Sequence, residues 1–263
     1  MPSYVVVGAS RGIGLGYLKN LAANPANTVI GIARNPSAVE SIPNATVFQG
    51  DLTDPASLQA AASKVAAITQ DGAVDHLVVN GAYLSHATEF TPPSGFLGKE
   101  DLFLSELQNS MQTNVAGVLY SVNAFVPLLK KSAIKKVVAI STGVADTELY
   151  APSNFTGAVP YTTSKAALNV LIAQYAVEYK EEGIKFLALS PGVVATSPDP
   201  STWTPEIQAG VAKMLGGFTQ VYPDWKGPLS VEESVEKQLQ VIDGLTQEQS
   251  GAFLSHLGSK QWL

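Results

Sequence analysis

Apolar runs of four to six residues recur along the chain between longer stretches of helical periodicity, and this alternation predicts the architecture. Buried strands are expected at Tyr4–Val7, Thr28–Ala33, Thr46–Gln49, His76–Val79, Lys136–Ser141, Lys185–Leu189 and Gly251–Leu254. Helices are expected at Gly12–Ala23, Pro55–Ile68, Asp101–Leu129, Tyr161–Glu181 and Val231–Gly244, the fourth stopped by Gly183. Strands and helices in this order imply an α/β fold. Its centre is a doubly wound, Rossmann-type parallel sheet of about seven strands with helices on both faces. One domain spanning 1–263 is expected, with the last strand closing an edge. Two segments break the rhythm, 83–99 and 196–228, both rich in Pro, Gly and aromatic residues. Each follows the carboxyl end of a strand, where open α/β sheets bind ligands. They therefore read as walls of a substrate pocket, the plain alternative being surface insertions.

Composition narrows the function classes. A hydrophobic fraction of 46% and a mean hydropathy of +0.14 supply a sizeable core. The net charge is −6, and the scattered Lys and Arg residues form no basic stripe, so neither a nucleic-acid nor a membrane partner is expected. The absence of cysteine excludes a disulfide framework, a thiol nucleophile and a thiolate metal cage. His76, His86 and His256 lack metal-ligand spacing and read as surface or loop histidines, with no metal site. The first strand begins almost at the initiator methionine, leaving no room for a signal or transit peptide, and no apolar stretch approaches spanning length. A cytoplasmic protein is expected.

Chemistry enters at two places. After the first strand comes Gly8-Ala9-Ser10-Arg11-Gly12-Ile13-Gly14, a glycine-rich turn at a helix start. Glycines let the backbone approach a diphosphate closely, and the helix amino end presents N–H groups to anionic oxygens. The spacing is GxxxGxG rather than GxGxxG. Farther on, Tyr161 and Lys165 stand four residues apart and share a helix face. A phenol beside an ammonium can handle a proton at a carbonyl oxygen, because the cation stabilises the phenolate.

GxxxGxG near the amino end together with YxxxK past mid-chain resembles the classical branch of the short-chain dehydrogenase/reductase family over nearly the whole chain. Asn80-Gly81-Ala82 is similar to the family's NAG element, which shapes the adenine side of the cofactor site. Asn114 matches the catalytic-helix asparagine that holds a relay water. The stretch Ser190-Pro191-Gly192-Val193-Val194-Ala195-Thr196 resembles the segment that cradles nicotinamide, and Asp51-Leu52 resembles the adenine-contacting pair. Asp51 also reads as a helix-entry residue before Pro55. Departures are Val7 for the usual Thr, Ala82 for Gly, a long loop from Gly143 to Pro160, and Ile140-Ser141-Thr142-Gly143 at the hydrophobic-Ser-Ser pattern. Aligned without a gap, the catalytic hydroxyl falls on Thr142, with Ser141 as the alternative.

The resemblance implies an NADP(H)-dependent carbonyl reductase. The second strand ends Ala33-Arg34-Asn35 without an acid, and Arg11 lies in the glycine turn; two guanidinium groups there favour a 2′-phosphate. Tyr161 would donate the proton, Lys165 would lower its pKa and hold the nicotinamide ribose, and Asn114 would anchor the water that reloads it. The aromatics of the two insertions (Tyr83, Phe90, Phe96, Trp203, Phe218, Tyr222 and Trp225, with Met214 and Leu215) suit a bulky apolar or aromatic ketone or aldehyde. The same residues permit alcohol oxidation in reverse, a secondary-metabolite tailoring reaction without redox change, or a non-catalytic nucleotide-binding regulator. The long helices resemble those that pair in the family, so a homodimer or homotetramer is expected.

Overall fold

A computed structural model describes residues 1–196 and 200–263. Seven strands form one wholly parallel sheet in the order β3-β2-β1-β4-β5-β6-β7. They are β1 Ser3–Val7, β2 Thr28–Ala33, β3 Ala45–Gln49, β4 His76–Val79, β5 Lys136–Ile140, β6 Lys185–Ser190 and β7 Ala252–Ser255. The strand period of two sorts each run onto two faces. Val5 and Val7, Ile30 and Ile32, Val137 and Ala139, and Phe186 and Ala188 meet one helical layer. Tyr4 and Val6, Val29, Val138 and Ile140, and Leu187 and Leu189 meet the other.

The first layer contains α2 Pro55–Ile68, α4 Gly117–Leu129 and α6 Val159–Glu178; the second contains α1 Gly12–Ala22 and α8 Val231–Gly244. Local signals start these helices. Asp54 caps α2, accepting from the N–H groups of Ala56 and Ser57, and Ser230 with Glu233 forms a reciprocal capping box on α8. The helix-entry role considered for Asp51 therefore belongs to Asp54, while the Asp51 carboxylate accepts from Thr53.

The long helix expected at Asp101–Leu129 is α3 Glu100–Met111 joined to α4 through a wider π turn, Gln112–Ala116, that carries Asn114. The helix expected at Tyr161–Glu181 begins two residues early and ends at Glu178; Gly183, at φ 71°, belongs to the following turn. Two further helices, α5 Tyr150–Ser153 and α7 Pro205–Val221, lie where loops were expected. Residues 197–199 of the 196–228 insertion lie outside the described residues.

Two histidines correct the surface expectation. His76 lies within β4, 3% exposed, its ring stacked on Tyr4 at 4.3 Å, and His256 is also buried. Burial pushes the pKa of each down to about 4. A strand or strand end covered by helices hides an imidazole as readily as an apolar ring, and spacing alone does not reveal that. Only His86 stands in solvent. Among the described residues, no helix is long and apolar enough to cross a membrane.

Candidate active site

The glycine turn, β4, β5 and β6 all deliver their carboxyl-end residues to one edge of the sheet. At this edge the turn leaves no room for side chains. Gly8 has φ 84°, and a Cβ there would stand 2.4 Å from the Gly81 backbone; one on Gly14 would stand 2.1 Å from Gly8 O. Asn80 Nδ2 donates to Gly8 O at 3.0 Å and so ties β4 to the turn. Leu52 closes against Gly81, and a Cβ at Gly81 would reach within 2.5 Å of Leu52 Cδ1.

Arg11 occupies the N-cap of α1 without a side-chain capping bond, and the first turn holds no acid. The orphan N–H groups of that turn are therefore available to an anion, which fits the diphosphate of a dinucleotide. Ser10, Arg11, Arg34 and Ala82 are exposed along this edge, while Ile13 packs inward. Arg11 and Arg34 make no ion pair among the described residues. The opposite wall is the 191–196 stretch. Ser234 Oγ donates to Pro191 O at 2.8 Å, Val194 bridges to Leu229, and Thr196 lies over Gly12. His256 backs Gly192, whose φ is 81°. That support was not foreseen in the sequence, where His256 had no motif around it.

Beside this cradle opens a cleft lined by Tyr161, Thr142, Ser190 and Glu89 among apolar side chains. Thr142 lies two residues beyond the end of β5 and faces the Tyr161 side chain, whose pKa it lowers. Ser141, 2% exposed, turns the other way and donates to Asn169 Oδ1 at 2.7 Å. Burial pushes the Tyr161 phenol up to about 12, with Thr142 opposing and the Glu89 charge adding to the rise. Lys165 is 2% exposed, and burial pushes its ammonium down to about 7. Its Nζ donates to Ile140 O at 2.6 Å and lies 5.8 Å from the centre of the Tyr161 ring. Desolvation is the largest cause of the Tyr161 shift.

Asn114 is fully buried in the π turn. Its Nδ2 donates to Tyr83 O and Ser164 Oγ, and its Oδ1 accepts from Tyr83 N at 2.7 Å. One lone pair on Oδ1 is left to accept from a water.

The outer walls come from both insertions and from segments that no motif marked. Leu84, Glu89 and Phe90 enter from 83–99, Met214 and Phe218 from α7, and Val144, Leu149, Phe155 and Ala158 from the long loop. Trp262 and Leu263 close the far side, with Trp262 Nε1 donating to Asp146 Oδ2 at 3.1 Å. Of the other expected aromatics, Tyr222 and Trp225 line a second cavity, Phe96 packs on Phe103, and the Tyr83 hydroxyl donates to Glu106. Trp203 and Leu215 line neither cavity.

Comparison with known proteins agrees with this geometry. The short chain dehydrogenase family profile matches residues 3–206. The chain is 42% identical to the short-chain dehydrogenase/reductase AacuF of Aspergillus aculeatus, over the full length of both. Among solved structures it is similar to an NADPH-bound carbonyl reductase from chicken fatty liver. That match has a TM-score of 0.77 at 27% identity and covers 98% of this chain and 93% of the other. The fold is also that of the carbonyl reductase Sniffer of D. melanogaster, with a TM-score of 0.76 at 22% identity and 98% coverage of both.

Proposed function

Since the chain belongs to the short-chain dehydrogenase/reductase family, we propose that it is an NADPH-dependent reductase of bulky apolar or aromatic ketones or aldehydes. The observation that carries this reading is the placement of the Thr142 and Tyr161 hydroxyls together in a largely apolar cleft beside the glycine cradle. Gly8, Ser10, Gly12, Ile13 and Gly14 would hold the diphosphate; Arg11 and Arg34 would meet a 2′-phosphate. Asp51, Leu52 and Asn80-Gly81-Ala82 would enclose the adenine side, and Pro191, Gly192, Val193, Val194 and Thr196 the nicotinamide side.

When bound, NADPH supplies the hydride. The chain's own residues handle the oxygen. Thr142 and Tyr161 both donate hydrogen bonds to the substrate carbonyl, and as negative charge develops there the phenol proton moves to it. A phenol held near 12 is protonated at neutral pH and therefore ready to donate. Lys165, with its pKa brought near 7, exchanges protons readily at neutral pH and sits where it can reload Tyr161; Asn114 Oδ1 offers the place for a connecting water. The apolar walls exclude bulk water, which strengthens both hydrogen bonds.

Tyr161→Phe should lower kcat by at least about 100-fold in an NADPH-oxidation assay while leaving the NADPH dissociation constant unchanged. Near-normal turnover by the variant would overturn the assignment. The exposed Val170 and Val177 of α6 and Leu104 of α3 support a homodimer or homotetramer as the working assembly.

A further inference from the structure

We infer that Glu89 selects the substrate: its carboxylate accepts a hydrogen bond from a hydroxyl of the molecule reduced, which is a neutral carbonyl compound bearing a hydroxyl group. This deepens the carbonyl-reductase reading and rests on it. Among the described residues that line the cleft, Glu89 has the single charged side chain. Thr142 and Tyr161 are committed to the reacting carbonyl, and Ser190 is 1% exposed. A second polar group on the substrate therefore has Glu89 as its counterpart.

The position is built rather than incidental. A Cβ on Gly157 would stand 2.6 Å from Glu89 O, so the loop before α6 packs directly on this backbone. The next residue, Phe90, lies against Gly210 of α7, where a Cβ would come within 2.3 Å of its ring. The Glu89 backbone is thus held between two segments that both line the cleft, which fixes the point from which its side chain reaches into it.

Its carboxylate has unmet capacity. His86 Nδ1 lies 3.0 Å from Oε2, but that ring is 82% exposed while the Glu89 side chain is only 24% exposed. A carboxylate offers about four acceptor positions, and placing one on an apolar wall is costly unless they are filled. The ligand that fills them best is a neutral hydroxyl, because a cation would forfeit far more hydration on entering an apolar cleft. A substrate acid is disfavoured by like charge, as is the phenolate of Tyr161, whose ionisation Glu89 already opposes.

Binding of redox-inert ligands to the NADP⁺-loaded protein tests this by calorimetry, with 2-naphthol and 2-methoxynaphthalene as the probes. Wild type should bind the naphthol at least about tenfold more tightly, and Glu89→Leu should bring the two within about twofold at unchanged NADP⁺ affinity. A wild-type ratio near one, or a ratio that survives Glu89→Leu, overturns the inference. If Glu89→Leu does not fold, Glu89→Gln should lower the ratio at least about threefold by replacing a charge-assisted bond with a neutral one; an unchanged ratio there has the same negative meaning. None of these readings depends on turnover, so the inference and the Tyr161→Phe test of catalysis fail separately.

Discussion

Ser141 and Thr142 are neighbours with opposite environments. The alternation of an extended strand sends Thr142 toward Tyr161 and the cleft, and Ser141 toward Asn169 on α6. In the sequence the two hydroxyls were competing candidates, since a pattern shared with a family does not say which way a side chain points. The geometry supports Thr142. Thr142→Ala should lower kcat by about 100-fold with little change in melting temperature, by removal of one donor to the developing oxyanion. Ser141→Ala should do the reverse, costing about 1–3 kcal/mol of stability because the Asn169 amide loses its buried partner, with kcat nearly unchanged. Steady-state kinetics and urea denaturation of the two variants would distinguish them, and an exchange of the two phenotypes would return the role to Ser141. Lys165 teaches a related lesson: its spacing from Tyr161 is readable, but the desolvation that sets both pKa values is a property of the surrounding packing.

At the scale of elements, every strand was legible to within about a residue because short apolar runs in a covered parallel sheet are nearly continuous. Helices that bury one face on the sheet were equally plain. The π turn at Gln112–Ala116 was hidden because its residues keep helical periodicity on either side; what distinguishes it is one backbone bond shifted by a residue. Helix α7 was missed for a different reason. Its Gly210, Gly216 and Gly217 argue for a loop, but two of these glycines permit close contacts: Gly217 lets the Ser153 carbonyl approach, and Gly210 receives the Phe90 ring. Tertiary packing overrides local propensity there. Because Phe90 lines the cleft, Gly210→Ala should displace it and raise KM for bulky ketones by about tenfold, leaving NADPH affinity as in wild type. Unaltered KM values across a size series of ketones would show that the ring is not held by this contact.

For the whole molecule, the buried histidines set the response to acid. His76 has a folded pKa of about 4 against an ordinary 6.5, so between about pH 6.5 and 4 the unfolded chain binds more protons and stability falls as pH falls. The desolvation of His76 is reinforced by Lys136 and opposed by Asp75, and His256 acts in the same direction. Urea denaturation should show a loss on the order of 2–3 kcal/mol from His76 between pH 6.5 and 4, and His76→Leu should flatten that slope. Equal wild-type stability at both ends of the window would contradict the burial. The sequence by itself determined the doubly wound parallel sheet, the glycine cradle and the tyrosine–lysine pair, because strand period, helix period and backbone clearance are local properties that a few neighbouring residues express. Only the tertiary structure decided which hydroxyl faces the cleft, how burial shifts Tyr161 and Lys165, and how Glu89, Phe90, α7 and Trp262 meet around the substrate space. Those features depend on contacts between segments far apart in the chain, where orientation and desolvation arise from packing that no local pattern records.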